Sequence, residues 1–317
     1  MSNQSHLDIQ RKILGILSMR GNITVAQLAK RLRIRPHTVR YHLTKLREVG
    51  SIGKSIAINQ RQLGYQVFNI LFDLPRSRLE KTVSFLKGRR EVAWFTRNMG
   101  PRRYEATIVA KDYPALAKLL ADMGEETGTQ PRDVIFAIEG ECHQWGLRFL
   151  AEITSSPALF HFTTPSNFAV IDDLDKQIID LFQRDRDSDT ASVAKKLGAS
   201  PSTIAYRFNR LCTSGVISEE IYFVRPMDSL IQAQLVLQLK ARSVAAQQTV
   251  LSACNQNPYV DFLVAGIGQW DYKIVIIAES IPTLLKAESA IIQACDKHLL
   301  RHMVFIRDEV LSVRTGL

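Results

Sequence analysis

Shifted against itself by 165 residues, the chain aligns without a gap from Ile13–Ile52 onto Ile178–Ile217. Identities fall at Ala26/Ala191, Ala29/Ala194, Lys30/Lys195, Leu32/Leu197, Pro36/Pro201, Thr38/Thr203, Tyr41/Tyr206, Leu46/Leu211, Gly50/Gly215 and Ile52/Ile217. Further along the offset becomes 168, and Val92, Gly100 and Tyr104 meet Val260, Gly268 and Tyr272. The chain is a duplication, so whatever half of it folds into must be formed twice.

The first part of each copy reads as three helices. Ile13, Leu14 and Leu17 lie three to four residues apart, the stripe of an amphipathic helix. Thr24 and Gln27 have capping-box spacing, which predicts a second helix from about Val25 with Leu28, Ala29 and Leu32 buried. After a turn at Arg33–Arg35, Pro36 suits the first position of a third helix that buries Val39, Leu43 and Leu46. At ~100° per residue, His37, Tyr41 and Thr44 then lie on the opposite face, flanked by Arg40 and Lys45. Gly50 closes that helix, and residues 52–58 read as a small β wing around Gly53-Lys54-Ser55. Two short helices, a tight turn and a third helix with a polar, basic face describe a helix-turn-helix whose third helix lies in the major groove of double-stranded DNA. In the second copy Ser202, Thr203, Tyr206, Asn209 and Arg210 take the exposed positions.

Charge separates the copies. The chain carries +10 overall, which favours an anionic partner. Residues 1–61 hold twelve Lys/Arg against two Asp/Glu, a net of +10, whereas residues 166–228 hold eight against ten, a net of −2. The first unit is therefore expected to supply most of the DNA affinity. The second carries Glu219 and Glu220 near its wing, against Lys54 in the first.

The second part of each copy alternates short apolar runs with amphipathic stretches. Strands are expected at 66–74, 92–99, 104–110 and 134–141, with helices at 76–87 and 113–126. The second copy repeats the order with strands at 233–239, 260–265, 272–278 and 303–306 and helices at 244–254 and 282–295. This β-α-β-β-α-β order is the ferredoxin-like split, and the whole is an α+β chain. Ile274, Val275, Ile276 and Ile277 are continuously apolar, so both faces of that strand are expected to be covered, by a second sheet. The domains are read as 1–60, 61–150, 169–227 and 228–317, with a turn-rich linker at 151–168.

On Ala26-Gln-Leu-Ala-Lys-Arg-Leu32, Leu174-Asp-Lys-Gln-Ile-Ile179 and Gly198-Ala-Ser-Pro-Ser-Thr203, the chain resembles the Lrp/AsnC family of transcription regulators, taken twice. The resemblance implies that the ferredoxin-like unit dimerises and binds an amino acid or similar effector near the turn between its second and third strands. Here that turn is Gly266-Ile-Gly268-Gln269-Trp270-Asp271-Tyr272, where Asp271 is expected to receive an ammonium group. The first copy departs, since Gly100-Pro-Arg102-Arg103-Tyr104 replaces the acid with two cations, leaving a site that is lost or tuned to an anion. The sensing units pair within one chain or across chains, and a homodimer or higher oligomer is expected.

Other chemistries are set aside. Cys142, Cys212, Cys254 and Cys295 form no paired motif and suit a reducing cytoplasm. There is no apolar leader and no membrane-length apolar run, so no membrane association is expected. His298 and His302 have a helical metal-ligand spacing but no accompanying acid or thiol motif, so no metal site or cofactor is expected. Trp94, Trp145 and Trp270 are expected in cores. The competing reading is an enzyme, since fused two-copy proteins of this fold resemble sirohaem decarboxylases. The stretch matching their His/Arg/Tyr-rich segment, 92–104, has Arg and Tyr but no His, and its copy at 260–272 has neither His nor Arg.

Overall fold

The computed structural model describes residues 3–20, 23–100, 102–185, 188–224 and 229–313. The first helix-turn-helix consists of α1 (Asn3–Ser18), α2 (Val25–Leu32) and α3 (Pro36–Glu48), followed by strand β1 (Ile52–Ser55). Its ferredoxin-like partner runs β2 (Gln66–Asp73), α4 (Leu79–Gly88), β3 (Val92–Met99), β4 (Tyr104–Ala110), α5 (Tyr113–Thr127) and β5 (Arg132–Gln144). A short strand, β6 (Phe160–Phe162), lies within the expected linker and pairs with β5. The second copy repeats the order as α6 (Asp173–Arg184), α7 (Thr190–Leu197), α8 (Pro201–Thr213), β7 (Ile221–Val224), β8 (Ile231–Leu239), α9 (Val244–Gln256), β9 (Val260–Gly268), β10 (Tyr272–Ala278), α10 (Ile281–Cys295) and β11 (Leu299–Val313).

The two ferredoxin-like units pair with each other inside the one chain. β3 of the first copy joins β11 of the second, and β9 of the second joins β5 of the first, so each copy's second strand meets the other's last. With β5 also paired to β2, eight strands close into a ring and leave few open edges, the usual liability of a sheet. Helices α4 and α5 pack on the outer face of the first copy around Phe72, Phe95, Leu116 and Leu119. Helices α9 and α10 do the same in the second around Leu235, Val250, Ile274 and Ile291.

The helix-turn-helix units brace this ring crosswise. Ile274 and Ile276 of β10 face α9 and α10, whereas Val275 and Ile277 join the core of the first helix-turn-helix with Ile13, Leu17 and Leu46. Both faces of β10 are thus covered, but its second face meets the other copy's helices rather than a sheet. Ile56 and the partly buried Leu63, just past β1, pack into the core of the second helix-turn-helix. The expected wing is built across the copies: β1 pairs antiparallel with β7, Lys54 opposite Tyr222.

The inner face of the ring holds a buried ionic cluster. Lys273 Nζ donates to Glu105 Oε1 at 2.8 Å and to Glu139 Oε1 at 3.1 Å. Asn69 Nδ2 donates to Glu105 at 2.8 Å, Gln234 donates to its other oxygen, and Arg61 Nε donates to the Glu139 carbonyl at 3.1 Å. Glu105 and Lys273 are 1% and 5% exposed. These are matching positions of the repeat: 165 residues separate Asn69 from Gln234, and 168 separate Glu105 from Lys273 and Glu139 from Arg307. The first copy presents acids where the second presents bases. Burial alone would push the Glu105 carboxyl upward, but the charges of Lys273 and Arg307 outweigh it and hold the group at about 2. Burial works against the charge on Lys273 too, and the two glutamates still leave its affinity for the proton raised.

Candidate nucleic-acid interface and effector pocket

The first recognition helix is presented largely as its pattern predicts. Val39, Leu43 and Leu46 are buried, and Arg33, Arg35, His37, Arg40, Tyr41, Thr44 and Lys45 are exposed, with Thr38 half-buried. Tyr41 is 53% exposed, far more than its ring would be if packing had placed it. Thr24 and Gln27 form the expected reciprocal cap of α2. Two arginines occupy places where other residues would be more stable. Arg33 ends α2 in the left-handed conformation, φ 54°, where the second copy has Gly198 at φ 64°. A side chain there costs roughly 1 kcal/mol over glycine. Arg35 takes the cap position of α3 without a side-chain hydrogen bond, whereas Ser200 caps α8 by accepting from the Thr203 amide at 3.1 Å. That lost cap is worth another ~1 kcal/mol. His42, on the same helix, is fully buried beside His6, and burial followed by the His6 charge lowers its affinity for the proton.

The second recognition helix is more occupied with its own fold. Ser202, Thr203, Tyr206, Asn209 and Arg210 are exposed. Arg210, however, pairs with the fully buried Asp175, and Arg207 Nη1 donates to Asp172 at 2.6 Å and to Asp175 at 3.1 Å. The hydrogen bond from Arg207 holds the Asp172 carboxyl at about 2. The base-reading role expected of Arg210 is thereby weakened, because its charge neutralises a buried carboxylate. Lys54 also departs from expectation: its Nζ lies 3.0 Å from Glu220, so it bridges the shared wing strands instead of standing free for a phosphate.

The turn of the second copy is tighter than its glycines suggest. Gly266 and Gly268 lie within β9, and the turn itself is Gln269-Trp270-Asp271. A Cβ on Gly266 would meet the Trp270 ring at 2.4 Å, and one on Gly268 (φ 154°) the Phe136 carbonyl oxygen at 2.4 Å. Packing accounts for both glycines, not a ligand's approach. Gln269 accepts from the Phe136 amide at 2.9 Å and ties the turn to β5, while Trp270 is wholly buried. Asp271 accepts from the Leu239 amide at 2.7 Å and pairs with Arg242 Nε at 2.5 Å. The carboxylate expected to bind an ammonium group is already satisfied by Arg242, a partner 29 residues away that no local pattern marks.

A cavity of about 320 Å³ nonetheless opens beside this turn, at the junction of the copies. Gly140, Glu141, Thr163 and Thr164 line it from β5 and the segment after β6, and Arg242, Gln247, Gly266, Asp271 and Tyr272 from the second copy. Arg242 spends donors on Asp271 and on the Gly266 carbonyl at 2.6 Å, and a guanidinium has five. Burial pushes the Tyr272 phenol up to about 12, so it stays a neutral hydroxyl. The corresponding turn of the first copy is closed: Asp73 accepts from the backbone amides of Arg102 and Arg103 at 3.2 and 3.3 Å and from Arg103 Nε at 3.1 Å. Arg102 Nε donates to the Asp133 carbonyl, Gly100 is exposed, and Tyr104 is buried in the core. An anion at that turn would therefore find Arg103 already paired with Asp73 and Arg102 turned to the Asp133 carbonyl. Pro101 lies outside the described residues.

Next to the cavity-lining Glu141, His143 and His161 lie close enough that the three each bring one potential ligand atom within 4.8 Å of the others. His298 and His302 join no such group among the described residues. Burial, and then His161, lower the affinity of His143 for a proton to about 4, so its ring is neutral at physiological pH.

A family model described as winged helix-turn-helix DNA-binding matches residues 171–218, and one described as a helix-turn-helix domain matches residues 5–50. An uncharacterised HTH-type transcriptional regulator of Pyrococcus abyssi is 27% identical over 147 residues, 44% of this chain and 90% of that protein. The crystal structure of the siroheme decarboxylase NirDL superposes with a TM-score of 0.63 at 15% identity, over 97% of this chain and 94% of that one. Escherichia coli AsnC, at 21% identity, covers 46% of this chain and 98% of its own, with a TM-score of 0.37. Among the described residues no helix is long and apolar enough to cross a membrane. The chain carries two helix-turn-helix domains, each followed by a ferredoxin-like unit, in one polypeptide.

Proposed function

We propose that this chain is a sequence-specific transcription regulator in which one polypeptide does the work of a dimer and the first helix-turn-helix supplies most of the DNA affinity. The observation that carries the reading is the exposed turn between α2 and α3, where Arg33 and Arg35 hold conformations that other residues would take at lower cost. A charge kept at a conformational cost, in the turn that leads into the groove-facing helix, suits contact with phosphates. Retention of sheared genomic DNA by the purified chain tests it: specific fragments are expected to be enriched, and uniform recovery of all sequences would contradict it.

The effector of this reading is an amino acid held in the 320 Å³ cavity, a size at the lower end of small-molecule sites. Its carboxylate would meet the remaining N–H donors of Arg242. A binding amino acid at 100 times its Kd is expected to stabilise the fold by about 2.7 kcal/mol. Arg242→Ala should abolish that shift, and a screen of the common amino acids with no shift would remove this part of the reading.

The full-length likeness to NirDL favours a second reading, decarboxylation of a tetrapyrrole carboxylate. Sirohaem added to the purified chain should leave the haem absorption spectrum unchanged if the regulator reading holds, and a saturable spectral shift would support the enzyme.

A further inference from the structure

We infer that Glu141, His143 and His161 form a binding site for a divalent first-row transition metal ion. The placement comes from strand pairing. Glu141 and His143 are two apart on β5 and so project from the same face, while His161 on β6 is the direct cross-strand partner of His143. Cys142 between them points inward to the buried core, which leaves the other two on the outer face. The imidazole rings of His143 and His161 lie stacked, with centroids 3.9 Å apart, and His161 Nε2 sits 3.4 Å from a Glu141 carboxylate oxygen.

A second observation points to a missing partner. His143 Nε2 is buried and has no hydrogen-bond partner among the described residues. Buried polar atoms are nearly always satisfied, and one that is not calls for an explanation such as an ion. Two imidazoles and one carboxylate form a donor set that zinc-like ions take while keeping positions for water or a small ligand. Hard cations such as Mg²⁺ prefer oxygen ligands and would not select this set. His161 and Glu141 have side chains 42% and 38% exposed, which lets both close on an ion by rotating. The matching positions of the second copy are Glu309 and Leu311, so the site exists once per chain.

Co²⁺ alone is the probe, titrated into the full chain and followed by its visible ligand-field absorption and by calorimetry. One equivalent should bind with a band intensity typical of low coordination number, and Zn²⁺ should displace it. His161→Ala is expected to weaken binding more than about 100-fold, because even outer-shell partners are worth 10–100-fold. A double variant of His298 and His302 should bind as the parent does. His161 lies on a short, partly exposed strand, and an unchanged melting temperature of metal-free His161→Ala shows that the fold is intact. Should that variant melt early, Glu141→Gln, which preserves shape, gives the same test. No saturable uptake, or uptake unchanged in His161→Ala and Glu141→Gln, would overturn the proposal.

Discussion

Exchanging the charges of Glu105 and Lys273 together is expected to destabilise the protein less than reversing either one alone, which should be severely destabilising. Lys273 is held between Glu105 and Glu139 where none of the three is more than 9% exposed at its side chain. Breaking a buried pair by removing one partner costs about 3–5 kcal/mol, and reversal adds repulsion to that loss. Glu105→Lys sets two ammonium groups beside Arg307 with Glu139 as the one facing acid. Lys273→Glu brings three carboxylates together. Either should lower the melting temperature by roughly 10 °C or more. The double variant restores the pair itself but sets its new carboxylate beside Glu139 and its new ammonium beside Arg307, so partial recovery over the single variants is the expected sign of direct coupling. Acid gives a parallel result. Because the folded Glu105 lies at about 2, below the usual value of 4.5, its contribution is present above about pH 5 and is lost as pH falls toward 2. Thermal melts of the four proteins decide the matter, and a double variant no better than the worse single would break the account.

The same cluster explains why the copies pair with each other. In a two-fold dimer of identical chains, each position near the axis faces itself, so a buried charge there meets its like. Duplication within one chain freed the matched positions to diverge, and here they became an acid and a base. A first copy paired with another first copy would bury two Glu105 carboxylates together, which like-charge repulsion disfavours.

How far this was legible in the sequence depends on the range of the contacts. The helices, their caps and the order of strands followed from local periodicity and from Thr24, Gln27 and Pro36, because those signals act within a few residues. The closed ring was not, since β3 and β11 pair residues such as Arg97 and Glu309 that no local pattern connects. The acid-to-base exchange is visible once the chain is aligned at an offset of 168, but it acquires meaning only when the copies share an interior. At the turn before β10 the residue types are plain in the sequence and their partners are not: Asp271 serves Arg242 and the Leu239 amide, and Gly266 makes room for Trp270. His161 was hidden because its three-residue strand sits among turn-forming residues that read as a linker. His42 sits between Tyr41 and Leu43 on a helix whose pattern alone does not show that α1 covers it with His6.

The two recognition helices should contribute unequally to DNA binding, and the structure sharpens why. In the first unit Arg35 and Arg40 are exposed with no ion pair among the described residues, and Lys45 holds only a surface pair with Glu48, worth little in water. In the second, Arg207 and Arg210 are committed to Asp172 and Asp175. Replacing Arg207 and Arg210 would strand the buried Asp175 and unfold the unit, so Tyr206→Ala with Asn209→Ala is the cleaner probe of that helix. Each phosphate neutralised contributes about −0.9 to the slope of log affinity against log salt. Losing Arg35, Arg40 and Lys45 together is therefore expected to flatten the slope by about 2 to 3 and to weaken binding at least about 100-fold. The most direct measurement is a gel-shift titration of the enriched operator fragment at several salt concentrations, with the parent chain, the triple alanine variant and the Tyr206/Asn209 variant. The triple variant is expected to lose affinity and slope together while the second-unit variant keeps the parental slope and most of its affinity. Equal slopes for all three proteins, or the greater loss in the second-unit variant, would overturn the unequal roles of the two helices.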